Sequence, residues 1–216
     1  MSDGRRGLYR LGGAALIASG VLFLVRHLFE LMAGPPPSDG AAILAWVASG
    51  KFALEMAVEV LFFAGMALIP ATIALHDSLV RANRAIAATG CGILAAAIPI
   101  LLMIDIVQGR LVYPVYGIRI TTPAIAEFAV ALFYGGLHAV DIMFGVATIV
   151  LSLAMRRGGY GTAIAFLGFA TGVLDVVGAY PYAIGPAMAL VCQVFFAAWF
   201  VAVGAKIYGM RPAGES

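Results

Sequence analysis

The chain alternates between six long apolar runs and short breaks that contain polar, glycine or proline residues. A helix needs about 20 apolar residues to cross the hydrocarbon core of a membrane, and each run reaches that length. No alternating ten-residue pattern of the kind found in membrane barrels is present. We therefore expect an all-α polytopic integral membrane protein, with residues 1–216 forming a single membrane domain. The predicted transmembrane helices are approximately 8–33, 51–79, 84–108, 122–155, 161–181 and 185–208.

The basic residues predict how these helices are oriented, because short loops rich in Lys and Arg stay on the cytoplasmic side of a membrane. Arg26 lies within the first run, and Lys51, Arg110 and Arg119 flank one set of helix ends. The other basic residues fall on the side of the N-terminus: Arg5, Arg6, Arg10, Arg81, Arg84, Arg156, Arg157, Lys206 and Arg211. We expect both termini to be cytoplasmic.

Composition supports the same class of protein. Hydrophobic residues make up 63% of the chain and charged residues 11%, with a mean hydropathy of +1.03. A soluble domain carries roughly a quarter charged residues. The net charge of +2, with no basic patch among aromatic residues, argues against a nucleic-acid partner. The expected partner is the lipid bilayer, and abundant Ala, Gly and Arg with few Lys is typical of a GC-rich bacterial genome, which predicts the inner (plasma) membrane.

Ionisable residues interrupt the apolar runs mainly in the half of each run that is far from the basic loops. At 1.5 Å per residue they lie about 20 to 30 Å from the basic ends, past the midplane of a core about 30 Å thick. Such side chains are costly in hydrocarbon and usually face a partner or a cavity. We predict one outward-facing polar cavity lined by Arg26, His27, Glu30, Glu59, Asp105, His138, Asp141, Asp175 and Gln193.

Local spacing suggests pairs within this group. His138 and Asp141 are three residues apart, and Arg26 and Glu30 four apart, so each pair shares a helix face. The first pair fits either a hydrogen bond that joins helices or a ligand role, and the second is typical of an ion pair within one helix. Asp105 lies near the outer boundary, where plain solvation is the favoured interpretation. Acids outnumber bases in the group, so protons or a cation should help to balance the charge.

Three classes of function fit this pattern. In the first, the cavity binds or transports a cation, a proton or a small solute, and this is the leading prediction. In the second, the four residues His27, His138, Asp141 and Asp175 bind a divalent metal such as zinc, which activates water against a lipid, ester or amide. No H-E-x-x-H signature supports that hydrolase. In the third, the polar residues are structural or sensory, and the protein is an accessory component with no catalytic site.

The basic start that runs into 11–24, the run 61–75 with its following basic loop, and the segment 158–174 give the chain a wider likeness. In these features it resembles bacterial six-span membrane proteins of the DUF4386 type. The resemblance implies a six-helix fold and brings no established activity, and no functional residue is carried over from it.

Overall fold

The computed structural model describes residues 2–210, and Arg211 of the basic set lies outside them. The described residues form α-helices and no β-strand, with one isolated bridge between Val115 and Ile118. The all-α prediction is therefore confirmed for this part of the chain. The helices are α1 (Ser2–Ala33), α2 (Gly40–Ser49), α3 (Lys51–Leu79), α4 (Arg84–Val112), α5 (Pro123–Met155), α6 (Thr162–Gly178) and α7 (Pro181–Tyr208).

Six of the helices close into a ring in chain order. Each of α3, α4, α5 and α6 packs against the next helix, and α1 packs against both α3 and α7. At one end the Tyr9 hydroxyl donates to Asp77 at 2.8 Å, and Ser78 bonds Tyr160 between α5 and α6. We call this the basic end, because the predicted basic loops lie here. Helix α2 packs against α5 and α3 at the opposite end, which we call the α2 end.

Within residues 2–210, five helices are long and apolar enough to cross a membrane, namely α1, α3, α4, α5 and α7. Helix α6 is apolar but has 17 residues, fewer than the 21 of the predicted span 161–181. Three of the four missing residues lie at its C-terminal end, where Pro181 lacks an N–H and begins α7 instead. The fold is thus that of a helical membrane protein with several spans, and the sixth span stays a prediction.

Helix α7 begins four residues earlier than expected and is interrupted near its start. Gly185 has φ 73° and ψ 169°, a conformation outside the helical region, and Pro186 follows it. Glycine adopts such a positive φ without the penalty that a side chain brings. The predicted start at 185 therefore marks a real break, but the residues before it are helical too.

Helix α2 was not among the predicted elements. Asp39 caps its N-terminus by accepting from the Ala42 N–H at 2.9 Å, and Glu127 of α5 accepts from the Gly40 N–H at 2.7 Å. The Trp46 indole N–H donates to the carbonyl of Ala33 at 2.8 Å. With ten residues α2 is too short to span a membrane, so it lies against α5 and α3 at the end of the ring.

Glycines let neighbouring helices approach closely at two seams. A Cβ atom on Gly145 of α5 would lie 2.8 Å from the carbonyl oxygen of Gly172 in α6. A Cβ atom on Gly13 of α1 would lie 2.7 Å from the carbonyl oxygen of Gly204 in α7. Small residues at such contacts are how membrane helices associate, since lipid provides no hydrophobic drive between them. These seams bring the ring walls close enough to enclose its interior.

We expect Gly145→Ala to lower the free energy of unfolding by about 1 to 3 kcal/mol, because the added methyl group must push the α6 backbone away. Gly92→Ala is the matched control, since nothing lies within 4 Å of a Cβ atom there. That change should stabilise α4 by up to about 1 kcal/mol. Thermal unfolding in detergent compares the two variants. Equal effects would show that the α5–α6 seam has room for a side chain.

Candidate functional site

A small internal space of about 20 Å³ lies inside the ring. It has room for about one water-sized occupant. Five helices contribute to its wall, and the polar and apolar parts of that wall come from different residues. The polar residues are Arg26, Asp141, Asp175 and Gln193. The apolar and thiol-bearing residues are Phe23, Leu101, Leu137, Phe144, Gly178, Cys192 and Phe196.

Arg26 of α1 is the cation of this wall and is 4% exposed. One of its terminal nitrogens pairs with Glu30 one turn along the helix, as the sequence predicted. The guanidinium carbon lies 5.8 Å from the centre of the Phe133 ring, within the range of a cation–π interaction. Its Nε has no hydrogen-bond partner within residues 4–210. Arg26 therefore has an N–H donor to spare beside the internal space.

Asp141 and Asp175 bring two carboxyl groups to the same space from α5 and α6. Asp175 is 7% exposed, and its Oδ2 has no hydrogen-bond partner in the described part of the chain. Both carboxyls line the same space as Arg26, whose ion pair is with Glu30. Like charges repel strongly where the surroundings are poorly polarisable. Two ionised carboxyls here would therefore need positive charge from Arg26, from protons or from a bound cation.

Asp105 of α4 is buried, which corrects the expectation of plain solvation. It is 2% exposed, and its Oδ1 has no hydrogen-bond partner within the described residues. The expectation was wrong because α4 runs on to Val112 instead of ending at 108. Asp105 is thus about one turn farther from the helix end than the sequence suggested.

Of the two histidines in the predicted group, His138 does not take the partner that its spacing suggested. The His138 Nδ1–H donates to the carbonyl of Ala179 at 2.7 Å, and its ring packs edge-to-face on Tyr180 at 4.7 Å. This bond joins α5 to the C-terminal end of α6, where carbonyls lack partners within the helix. His27 lies 4.0 Å from Glu30. No hydrogen bond joins His138 to Asp141 in the described structure.

The predicted metal ligands do not converge. Within the described residues, no group of three or more His, Cys, Asp or Glu side chains has a geometry that could hold a metal ion. His138 is engaged with Ala179, whereas Asp141 and Asp175 line the internal space. The structure therefore does not bring His27, His138, Asp141 and Asp175 together as one ligand set.

Glu59 lies apart from the internal space, and its side chain is exposed. It is near Tyr113, which follows α4 and whose hydroxyl donates to the carbonyl of Glu55 at 3.3 Å. Partial burial, followed by the carboxyls of Glu59 and Glu55, raises the pKa of Tyr113 to about 12. Glu59 is thus not among the residues that line the space at Asp175.

Gln108 is a buried polar residue that the sequence analysis did not include. It is 3% exposed, and its Oε1 has no hydrogen-bond partner within the part of the chain described. The available signal was its position three residues after Asp105, on the same face of α4. Gln108 was missed because the predicted span ends at 108, whereas α4 continues to Val112.

We expect Arg26→Met to lower the free energy of unfolding by about 3 to 5 kcal/mol, because it leaves buried carboxyl groups without their cation. Glu30→Gln in the same chain should restore part of that loss. Arg6→Met is the control, since Arg6 is exposed on the same helix and its loss should cost less than about 0.5 kcal/mol. Thermal unfolding in detergent measures all three variants. A similar small effect at both arginines would contradict a charge-balancing role for Arg26.

No known family model, curated protein or solved structure matches this chain. The resemblance to six-span proteins of the DUF4386 type therefore stays a prediction, and the site must be interpreted from its own residues.

Proposed function

We propose that this multi-pass membrane protein binds and exchanges protons at the polar cluster inside its helix ring. The observation that carries the proposal is the imbalance of charge around Arg26. Four carboxyl groups are buried in this part of the ring: Glu30 pairs with Arg26, Asp141 and Asp175 line the same space as Arg26, and Asp105 is buried on α4. One arginine offsets one of them, so three further positive charges are needed.

Protons or a small cation can supply those charges. Ionised carboxyls without a counter-charge are too costly in an apolar interior to persist. The internal space of about 20 Å³ suits a proton carried on a carboxyl or on one water molecule better than a larger solute. Asp175 supports this choice most directly, because its buried Oδ2 has no protein partner among the residues described.

The expected placement in the membrane follows from the basic end of the ring. Short loops with Arg81, Arg84, Arg156 and Arg157 favour the cytoplasmic side of the inner membrane. The cluster would then lie in the outer half of the bilayer, with α2 at the outer surface. Helix α6 completes six spans in this arrangement, with both termini cytoplasmic and the cluster facing outward.

The metal-dependent hydrolase receives no comparable support. It requires His27, His138, Asp141 and Asp175 to meet around one ion, and the described geometry separates them. The accessory or sensory alternative predicts the same buried cluster without proton exchange, so a flux measurement distinguishes it from the proposal.

The proposal predicts proton flux in lipid vesicles that contain the purified protein and a pH-sensitive dye. Wild-type protein should collapse an imposed pH gradient several-fold faster than empty vesicles. Asp175→Asn keeps the shape of the side chain but removes its proton-binding oxygen, so this variant should lose most of the added rate. Dye fluorescence over time measures the collapse.

Glu59→Gln is the matched control, because it removes a carboxyl that is exposed outside the cluster. This variant should collapse the gradient at the wild-type rate. Wild-type protein no faster than empty vesicles would leave the accessory function as the better explanation. Equal rates for wild type and Asp175→Asn would show that protons cross without this cluster.

A further inference from the structure

The connection between α6 and α7 joins two residues that line the internal space at Asp175. Gly178 ends α6, Cys192 lies on α7, and both belong to that lining. They also meet directly, because a Cβ atom on Gly178 would lie 3.2 Å from the Cβ atom of Cys192. Asp175 precedes Gly178 by three residues, which is about one helical turn. One glycine against one small thiol side chain therefore closes this part of the lining.

Residues 179–188 of this connection, which we call the α6–α7 corner, have little packing to hold them. Only Ala179 is buried among them, whereas Tyr180 is 39% exposed and Tyr182 is 82% exposed. A segment with so few buried contacts opens at a lower free energy than the core does. Gly185 interrupts the helix inside the corner with φ 73° and ψ 169°. A glycine at such a break can absorb the backbone rotation that a hinge requires.

Within the described residues, one hydrogen bond ties the corner to a helix other than α6 and α7. The His138 Nδ1–H of α5 donates to the carbonyl of Ala179 at 2.7 Å, and the His138 ring packs edge-to-face on Tyr180. His138 lies one turn from Asp141, which lines the same internal space. This bond therefore holds the corner against the helix that carries Asp141.

We propose that the α6–α7 corner is a gate between the internal space and water at the α2 end, hinged at Gly185 and held shut by the bond from His138 to Ala179. When that bond breaks, the corner moves away from α5, Gly178 separates from Cys192, and water reaches the space. The gate rests on the proposed proton exchange, because it controls access to the same carboxyl groups.

The two cysteines of the chain provide a test that does not depend on proton flux. Cys192 is 2% exposed and Cys91 of α4 is 4% exposed, so burial alone predicts slow labelling of both thiols. Cys91 is the internal control, since it packs in the core and does not line the space. Protein in lipid nanodiscs, where both membrane faces meet the buffer, is treated with a small water-soluble methanethiosulfonate. Mass spectrometry of peptides should show Cys192 labelled several-fold faster than Cys91.

His138→Leu removes the donor, so it should speed the labelling of Cys192 several-fold further and leave that of Cys91 unchanged. His138→Gln keeps an N–H donor and should stay closer to the wild-type rate. Gly185→Ala should also speed the labelling of Cys192, because a side chain opposes the positive φ at the hinge. Gly161→Ala is its matched control, since Gly161 has φ 92° at the other end of α6 and, like Gly185, open space around a Cβ atom.

Equal labelling of Cys192 and Cys91 in the wild type, with no selective acceleration in His138→Leu, would overturn the gate even if proton flux were observed. Faster labelling of both thiols in His138→Leu would show a general loosening of the ring and would overturn it as well. Selective acceleration at Cys192 would support the gate even if the vesicles showed no proton flux. The gate and the proton exchange can therefore fail separately.

Discussion

The structure depends on how the negative charge of buried carboxyl groups is balanced inside an apolar ring of helices. Arg26 is nearly fully buried, pairs with Glu30 on its own helix and lines a water-sized space with Asp141 and Asp175. Removing ions from water costs several kcal/mol each, so an unbalanced set of this kind would oppose folding. The proton binding that we propose would balance these charges.

The rest of the ring positions these groups. Close approach at Gly145 and Gly172 brings α5 against α6, the helices that carry Asp141 and Asp175. The bond from His138 to the carbonyl of Ala179 holds the same two helices together near the α2 end. On the other side of the space, the rings of Phe23, Phe144, Phe196 and Phe200 pack against one another and form an apolar layer toward the basic end. Asp141 and Asp175 thereby lie between this layer and the α2 end.

Much of this arrangement could be predicted from periodicity and composition. The span 51–79 coincides with α3, and Arg26, Asp141, Asp175 and Gln193 do lie together. The features that the sequence did not predict depend on contacts between residues far apart in the chain. The first N–H of α2 donates to Glu127 of α5. His138 donates to a carbonyl 41 residues away and does not bond its near neighbour Asp141. Gln108 was missed because the predicted span ended there, whereas α4 continues to Val112.

The most direct test of the charge imbalance is infrared spectroscopy of the protein in lipid vesicles, with wild type beside Asp175→Asn. Proton binding at the cluster predicts a carboxyl C=O band in the wild-type spectrum whose intensity changes with pH. That band should be missing or reduced in Asp175→Asn, because the amide cannot bind the proton. Identical pH-dependent spectra for the two proteins, or no carboxyl band that responds to pH, would contradict proton binding at Asp175.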